Sequence, residues 1–250
     1  MARGSKRGIA LAALALLLAW QVSSFAVAAS VLPPPLVVGQ VFLAALPAGL
    51  AWHGFVSAYR VALGILLAVL VAAPLGLLLG QHPRWDRFAA PLIYLTYPIP
   101  KIVLLPLVLL FLGLGELSKV FMIFLILFFQ ILVVVRDASH GVRPELLYSV
   151  RSLGAGRAQL LRYVYLPACL PAILTSLRVT SGTAVAVLFF VEAIATNAGL
   201  GYYIIIEGWG RMDYAQMYAG VVAMSLLGVA LYLTLDLLER RLCGWVDIGR

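Results

Sequence analysis

Long apolar blocks joined by short polar segments dominate this chain. Six of them, over 8–30, 56–80, 88–112, 118–136, 173–195 and 216–238, each approach the length of about 20 residues that carries a helix across the hydrocarbon core. Alternation of apolar and polar residues over about ten positions, the mark of a membrane β-barrel, is absent. The pattern predicts an all-α, polytopic helical membrane protein with six transmembrane helices. Between the first two blocks lies a linker with Pro33-Pro34-Pro35, then an apolar stretch holding Trp52 and His53. That stretch is expected to lie along the outer membrane interface.

The pattern is interrupted in two places. The first is the polar segment 137–172, where charges are frequent. Pro144-Glu145 suits a helix start, with proline at the first position and an acid beside the positive end of the dipole. That helix is expected to run to about Leu153 and to end at Gly154 and Gly156, whose backbones tolerate a tight turn. A second short helix is expected from Arg157 to about Tyr165, ending before Pro167. The two would form a helix–turn–helix on the membrane face, with Leu153, Leu160, Leu161 and Val164 able to pack. The second interruption lies in the third block, which carries Pro91, Pro98, Pro100 and Pro106. Each interior proline removes a helical hydrogen bond and clashes one turn back. The third span is therefore expected to be two half-helices around a break at Pro98–Pro100. Irregular backbone at that depth needs protein or a water-filled cavity around it.

Composition agrees with a membrane protein: 64% hydrophobic and 11% charged residues, against about 45–50% and about 25% in soluble domains. The net charge of +8 does not point to nucleic acid, because no basic run with interleaved aromatics occurs. Instead the basic residues sort by side. With the N-terminus inside, one side holds Arg3, Lys6, Arg7, Arg84, Arg87, Arg136, Arg143, Arg151, Arg157, Arg162, Arg178, Arg240, Arg241 and Arg250. Arg60, Lys101, Lys119 and Arg211 are left for the membrane or the other side. This bias places both termini and the 137–172 segment in the cytoplasm. The first block also resembles a cleavable secretory signal, with Arg3, Lys6 and Arg7 ahead of it and Phe25-Ala26-Val27-Ala28-Ala29-Ser30 after it. Its apolar stretch is longer than the usual signal core of about 7–15 residues, which favours an uncleaved anchor. Cys169 and Cys243 have no metal-ligand spacing, and a cytoplasmic position disfavours a disulfide.

Few residues carry candidate chemistry. Lys101 follows the double proline, and a cation at depth must be paired or hydrated. It either lines a pathway and attracts an anionic group, or snorkels or pairs with a carbonyl freed by Pro98 or Pro100. Glu192, near the outer end of the fifth span, fits either a gate contact or a structural hydrogen bond at a dimer interface. Arg60, Arg178 and Asp236 sit near helix ends, where snorkelling explains them. Gln130 lies at depth and can reach another helix. Gly182-Thr183-Ala184 and Gly220 read as close helix packing. His53, His82 and His140 are isolated. No catalytic residues and no metal site are found, and the absence of a phosphate-cradling Gly-x-x-x-x-Gly-Lys-Ser/Thr excludes ATP hydrolysis by this chain.

The cytoplasmic segment resembles the motif of permease subunits of bacterial ABC importers: Glu-Ala-Ala, three residues, Gly, nine residues, Ile, one residue, Leu-Pro. Gly154, Val164, Leu166 and Pro167 fall at that spacing. Tyr148-Ser149-Val150 stand in the Glu-Ala-Ala positions, a departure. Pro98 to Leu107, Phe111 to Lys119, Val191-Glu192 ahead of Gly199-Leu200-Gly201-Tyr202, and Leu237 to Leu242 look like the nitrate/sulfonate/taurine-type branch. The similarity runs over about residues 33 to 245.

The resemblance implies a type I, MetI-like permease fold. It divides the chain into an N-terminal signal-anchor helix, 1–32, and a permease core, 33–250, with a coupling element at about 140–170. In the family this element docks into a groove of the ATPase subunit. Carried over, the coupling residues are Glu145, Tyr148, Arg151, Gly154, Ala155, Arg157, Leu160, Leu166 and Pro167. Glu145, one turn from Tyr148 on the same face, can replace the missing motif acid. Arg151, Arg157 and Arg162 either meet an acidic groove or sit in water at the lipid headgroups. The translocation path is expected at Pro98, Pro100, Lys101 and Glu192.

The implied assembly is a homodimer or other permease pair in the bacterial inner membrane, surrounded by membrane lipid. It would have two ATPase subunits carrying ATP and Mg, a periplasmic or lipoprotein substrate-binding protein, and no nucleic acid. No cofactor belongs to this chain. The solute is expected to be small and anionic, of sulfonate, taurine, nitrate or bicarbonate type, or else a vitamin precursor such as a pyrimidine or riboflavin-like compound. A stand-alone secondary transporter would favour internal repeats and several buried carboxylates. A membrane-embedded transferase would need polar groups gathered on one membrane face. Neither pattern is evident.

Overall fold

The computed structural model describes residues 6–27, 31–194 and 196–245. Arg3, Arg250 and residues 28–30, where a signal cleavage site would fall, lie outside the described residues, as do the side chains of Lys6 and Arg7. Among the described residues every regular element is helical. The α-helices in chain order, joined in places by short 3-10 and π-helical turns, are α1 (Lys6–Ala26), α2 (Pro35–Ala45), α3 (Ala51–Gln81), α4 (Pro83–Thr96), α5 (Leu105–Leu112), α6 (Glu116–His140), α7 (Pro144–Ser152), α8 (Arg157–Leu160), α9 (Leu166–Ile194), α10 (Leu200–Tyr202) and α11 (Tyr214–Leu242).

Four helical segments are long and apolar enough to cross a membrane: Pro35–Gln81, Glu116–His140, Arg157–Ile194 and Tyr214–Leu242. The pair Pro83–Thr96 and Lys101–Leu112, bent by 80°, makes a fifth if it is one broken span. Ala10–Ala26 is apolar but shorter. The six expected blocks thus correspond to four long helical segments, one broken span and one short apolar helix. One expectation changes. The linker before the second block is itself helical, with α2, a π-helical turn over Leu46–Leu50 and α3 following one another. The kink falls at Gly49, whose φ of 128° suits a residue without Cβ. His53, expected at an interface, is buried.

Packing divides the chain into two compact units. One comprises Met1–Ser57 and Glu192–Leu226, the other Ala58–Val191 and Leu227–Arg250. In the first unit α1 is mostly exposed and is tied down near its end. Trp20 Nε1 donates to Pro33 O at 3.1 Å, and its ring lies 5.9 Å from that of Tyr218. Gly220 packs tightly, as expected, because a Cβ there would meet Ile204 Cγ1 at 2.7 Å.

The second unit is organised by a ridge of small residues on α3. Gly64, Ala68, Ala72, Gly76 and Gly80 recur every four residues and so share one helix face. Ala68 and Ala72 are fully buried. A Cβ would meet Ile123 at 2.6 Å from Gly64, Val135 at 2.8 Å from Gly76, and Ser139 at 2.3 Å from Gly80. The backbones of α3 and α6 therefore approach too closely for any larger side chain. That is how helices gain packing where lipid supplies no hydrophobic drive. Met122, Ile123, Leu127, Ile131 and Val135 of α6 are buried. Ser139 Oγ closes the Gly80 end of the ridge by donating to Leu77 O at 3.2 Å. By contrast Gly182, also read as a packing residue, has open space around it.

Candidate functional site

The polar interruption forms a helical hairpin in the second unit. α7 opens on Pro144 with Glu145 in its first turn and Arg151 in its last. Leu153 ends it, and Gly154 turns the chain at φ 82°, with its N–H donating to Arg151 O at 2.9 Å. Only a residue without Cβ takes that conformation freely. Gln159 then reaches back, its Oε1 accepting from Gly156 N at 2.7 Å, and caps the start of α8.

The second half departs from the expectation. No helix ends before Pro167; α8 continues through a π-helical turn, Leu161–Tyr165, into α9. The Leu166 N–H reaches back to Leu161 O, five residues away. This wider turn admits Pro167, which lacks the N–H for the ordinary bond and would crowd the carbonyl one turn back.

Burial separates the hairpin into an anchored and an open part. Leu160, Val164 and Tyr165 are buried. No residue of α7 is buried. Leu153, expected to pack, is 86% exposed at the tip, and Tyr148 is 66% exposed. Glu145, Arg151 and Arg157 are exposed and Ala155 is half-buried. Arg157, Leu161 and Leu166 line a groove of about 450 Å³ together with Pro74, Leu77 and Leu78 of α3.

The proline break also has defined geometry. Pro100 lacks the N–H that would have bonded Thr96 O. Lys101 Nζ donates to that carbonyl and to Tyr97 O, both at 2.7 Å. The ammonium also lies 4.5 Å from the centre of the Phe129 ring, a cation–π contact. Pro98 and Pro100 are exposed and Lys101 is half-buried.

Glu192 is 1% exposed and belongs to a cage within the first unit. Its two carboxylate oxygens accept from Ser57 Oγ at 2.7 and 2.9 Å, and Oε2 also accepts from Gly201 N at 3.0 Å. Ser57 Oγ accepts from Leu200 N at 2.8 Å, and His53 Nδ1 accepts from Gly199 N at 3.0 Å. Three successive amides at the start of a helical turn, which would otherwise lack partners, are thus each met by a side chain. A carboxylate there also faces the positive end of the helix. Because its Nδ1 accepts, the neutral His53 ring carries its proton on Nε2. That nitrogen lies 3.9 Å from Glu207 Oε1.

Arg60, Arg178 and Asp236, assigned to snorkelling, are instead paired within the protein, and so are other charges. Arg60, 1% exposed, grips Glu116 through Nε at 2.7 Å and Nη2 at 2.5 Å. Arg178 donates to Asp236 at 2.9 Å. Arg136 holds both oxygens of Asp86. Lys119 is buried and donates to Leu114 O and Gly115 O. Spacing along the chain does not reveal the three ion pairs, because their members lie 50 to 58 residues apart. Gln130 Oε1 is buried with no hydrogen-bond partner among the described residues. No group of three potential metal ligands occurs among the described residues, and Cys169 and Cys243 are buried free thiols.

The chain is similar to the taurine transport system permease protein of Escherichia coli K12, 33% identical over 219 residues that cover 85% of this chain and 79% of that one. It is 34% identical over 241 residues to the riboflavin transport system permease protein of Chloroflexus aurantiacus, covering 95% and 90%. A putative aliphatic sulfonates transport permease protein of Bacillus subtilis is 30% identical over 88% and 79%. Among solved structures, the inward-facing MetNI methionine ABC transporter matches with a TM-score of 0.64 at 18% identity, over 77% of this chain and 95% of that chain. That likeness shows the MetI-like permease fold. The profile of binding-protein-dependent transport system inner membrane components matches residues 64–243, and the chain belongs to that family of ABC transporter permeases.

Proposed function

We propose that this chain works as one of two paired permease subunits, a homodimer in the simplest case, above two separate ATPase subunits that bind ATP and Mg. A periplasmic or lipoprotein binding protein delivers the solute. In this reading both termini and the 140–170 element face the cytoplasm, and α1 is retained as an uncleaved anchor over 1–32. The retained anchor is supported by the Trp20 tie to Pro33, and the orientation by the sorting of basic residues.

The observation that carries the docking role is the hairpin itself. A rigid turn at Gly154 holds an apolar tip, Leu153, and an aromatic, Tyr148, away from the core. Exposed apolar groups presented on an ordered turn, in a hairpin that also exposes Glu145, Arg151 and Arg157, suit insertion into a partner's groove. Leu160, Leu166 and Pro167 transmit the pull, since the hairpin runs without interruption into α9. ATP-driven closure of the ATPase pair would then move α9 and switch the permease between inward- and outward-facing states. Tyr148 in the position of the motif acid makes the contact aromatic rather than ionic, with Glu145 as the remaining acid.

The solute path is proposed at the Pro98–Pro100 break, with Lys101 beside it and Glu192 as a structural support of the outer loop. A small anion of sulfonate, taurine, nitrate or bicarbonate type suits the lysine. The named riboflavin relative favours a second reading, a vitamin precursor, on its 95% coverage of this chain.

Gly154→Val tests the coupling role. A β-branched residue at φ 82° costs about 1–3 kcal/mol locally, while a Cβ there meets no neighbour. Membrane insertion and permease folding should survive, and solute-stimulated ATP hydrolysis by the reconstituted complex should fall at least tenfold. Normal stimulation in this variant would remove the hairpin from the coupling route.

A further inference from the structure

We propose that the groove between α4 and α6 is an organic-anion site on the solute route, with Arg87 as its charge-recognising residue. The inference rests on the permease reading above and narrows its solute class. The groove measures about 680 Å³ and is lined by Arg87, Pro91 and Tyr94 from α4 and by Val133 and Arg136 from α6, with Tyr97 and Pro98 at the break. Arg87 and Tyr94 are seven residues apart on α4, and Tyr97, which caps the helix with helical φ and ψ, follows three residues later, so the three run along one face. The same Tyr97 gives its carbonyl to Lys101 Nζ, and its ring lies 5.5 Å from that ammonium. A line of positive charge and aromatic surface therefore leads from the Arg87 end of the groove to the proline break.

The charges in this groove are not equivalent. Arg136 is committed to Asp86 and Asp137, and His140 also approaches Asp86 at 3.3 Å. Arg87 makes no hydrogen bond or ion pair with any described residue. Both carboxylates are thus taken up by Arg136, and Arg87 is left as the guanidinium of the groove with no hydrogen-bonded carboxylate, a planar fork suited to an oxyanion.

The remainder of the wall decides the class of anion. Pro91, Val133, Pro98 and the two tyrosine rings present apolar and aromatic surface. A bare oxyanion occupies space comparable to one or two waters, about 30 Å³ each. It would leave nearly all of the groove unfilled. The volume lies within the range of about 300–1,000 Å³ that accommodates an organic molecule. The groove therefore suits a sulfonate or carboxylate attached to an apolar or aromatic body, which covers that wall, better than nitrate or bicarbonate, which leave it bare.

The test uses the full permease–ATPase complex in nanodiscs of zwitterionic lipid, titrated calorimetrically with benzenesulfonate, benzenesulfonamide and nitrate. Benzenesulfonate should bind, and R87Q should weaken it at least tenfold while R87K retains part of the affinity. Y94A should weaken it several-fold, and neither the neutral sulfonamide nor nitrate should bind measurably. Equal affinity in R87Q, or nitrate binding as well as benzenesulfonate, overturns the proposal. So does loss of benzenesulfonate binding in phosphatidylglycerol nanodiscs, which would assign the groove to a lipid headgroup. Basal ATP hydrolysis is read in the same samples. If wild type never associates with an ATPase, the permease reading fails; if it associates and R87Q binds normally, only this site fails.

Discussion

A methyl group on Gly199 would lie 2.3 Å from the Glu192 carboxylate. The backbone there sits at φ 119°, a conformation that costs an L-residue about 1–3 kcal/mol even in open space. Both effects act on the same cage. Gly199→Ala should therefore break the Glu192, Ser57 and His53 caps together, and leave buried acceptors without donors. The expected outcome is a fall in midpoint temperature of several degrees in a detergent thermal-shift assay, with Gly113→Ala, whose Cβ meets no neighbour, losing less. A Gly199→Ala protein as stable as the parent would show that the loop does not depend on the cage. At this scale the sequence was only partly readable. Glu192 stood out as an intramembrane acid, and Gly199-Leu200-Gly201-Tyr202 only as part of the family resemblance. That one caps the other follows from contacts between residues such as Ser57 and Leu200, 143 positions apart.

Among the elements, α3 shows what periodicity can and cannot convey. Its apolar length was legible, and so was the break between α4 and the next helical segment, because prolines act on their own backbone. The small residues at every fourth position were equally present in the sequence, from Gly64 to Gly80, yet went unread beside the more obvious Gly182-Thr183-Ala184. The signal was a repeat of small residues at helical spacing. Gly76→Leu tests its weight. The added side chain would enter Val135 and the Leu132 carbonyl, an overpacking that costs typically about 1–3 kcal/mol in soluble cores. Expression as monodisperse protein should drop sharply, whereas Gly182→Leu, facing open space, should be tolerated. Similar losses from both would deny the ridge any special role. The hairpin illustrates a different limit. Its turn at Gly154 was predictable from glycine, but the passage of α8 into α9 through a π-helical turn was not, because the widened turn offsets the proline that would otherwise end the helix.

For the whole molecule, the proposed orientation makes a direct prediction. Cysteine placed at Leu153 and at Met212, both strongly exposed, should react with an impermeant maleimide from opposite sides of the membrane, in a chain whose own Cys169 and Cys243 are buried. Leu153 should label only after the cytoplasmic side is opened, and Met212 in intact cells with a permeable outer membrane. Labelling of both from one side would reject the topology. The pairing of buried charges also belongs to this scale. Arg60 and Arg178 looked like snorkelling residues because the basic side chain alone can reach an interface. In the structure each faces a carboxylate from a distant segment, which lowers the cost of keeping the charge away from water.

What the chain alone determined is what depends on neighbours in sequence. Apolar block length set the membrane class, proline placed the break, glycine placed the hairpin turn, and motif spacing over 33–245 pointed to the family that the profile match confirms. Only the tertiary structure decided which buried polar groups are partnered, how closely α3 and α6 approach, and which face of α4 is left open beside Arg87. Those outcomes depend on side chains brought together across 50 to 150 residues, where each buried polar group must find a donor or acceptor and each small residue gains meaning only from the helix laid against it.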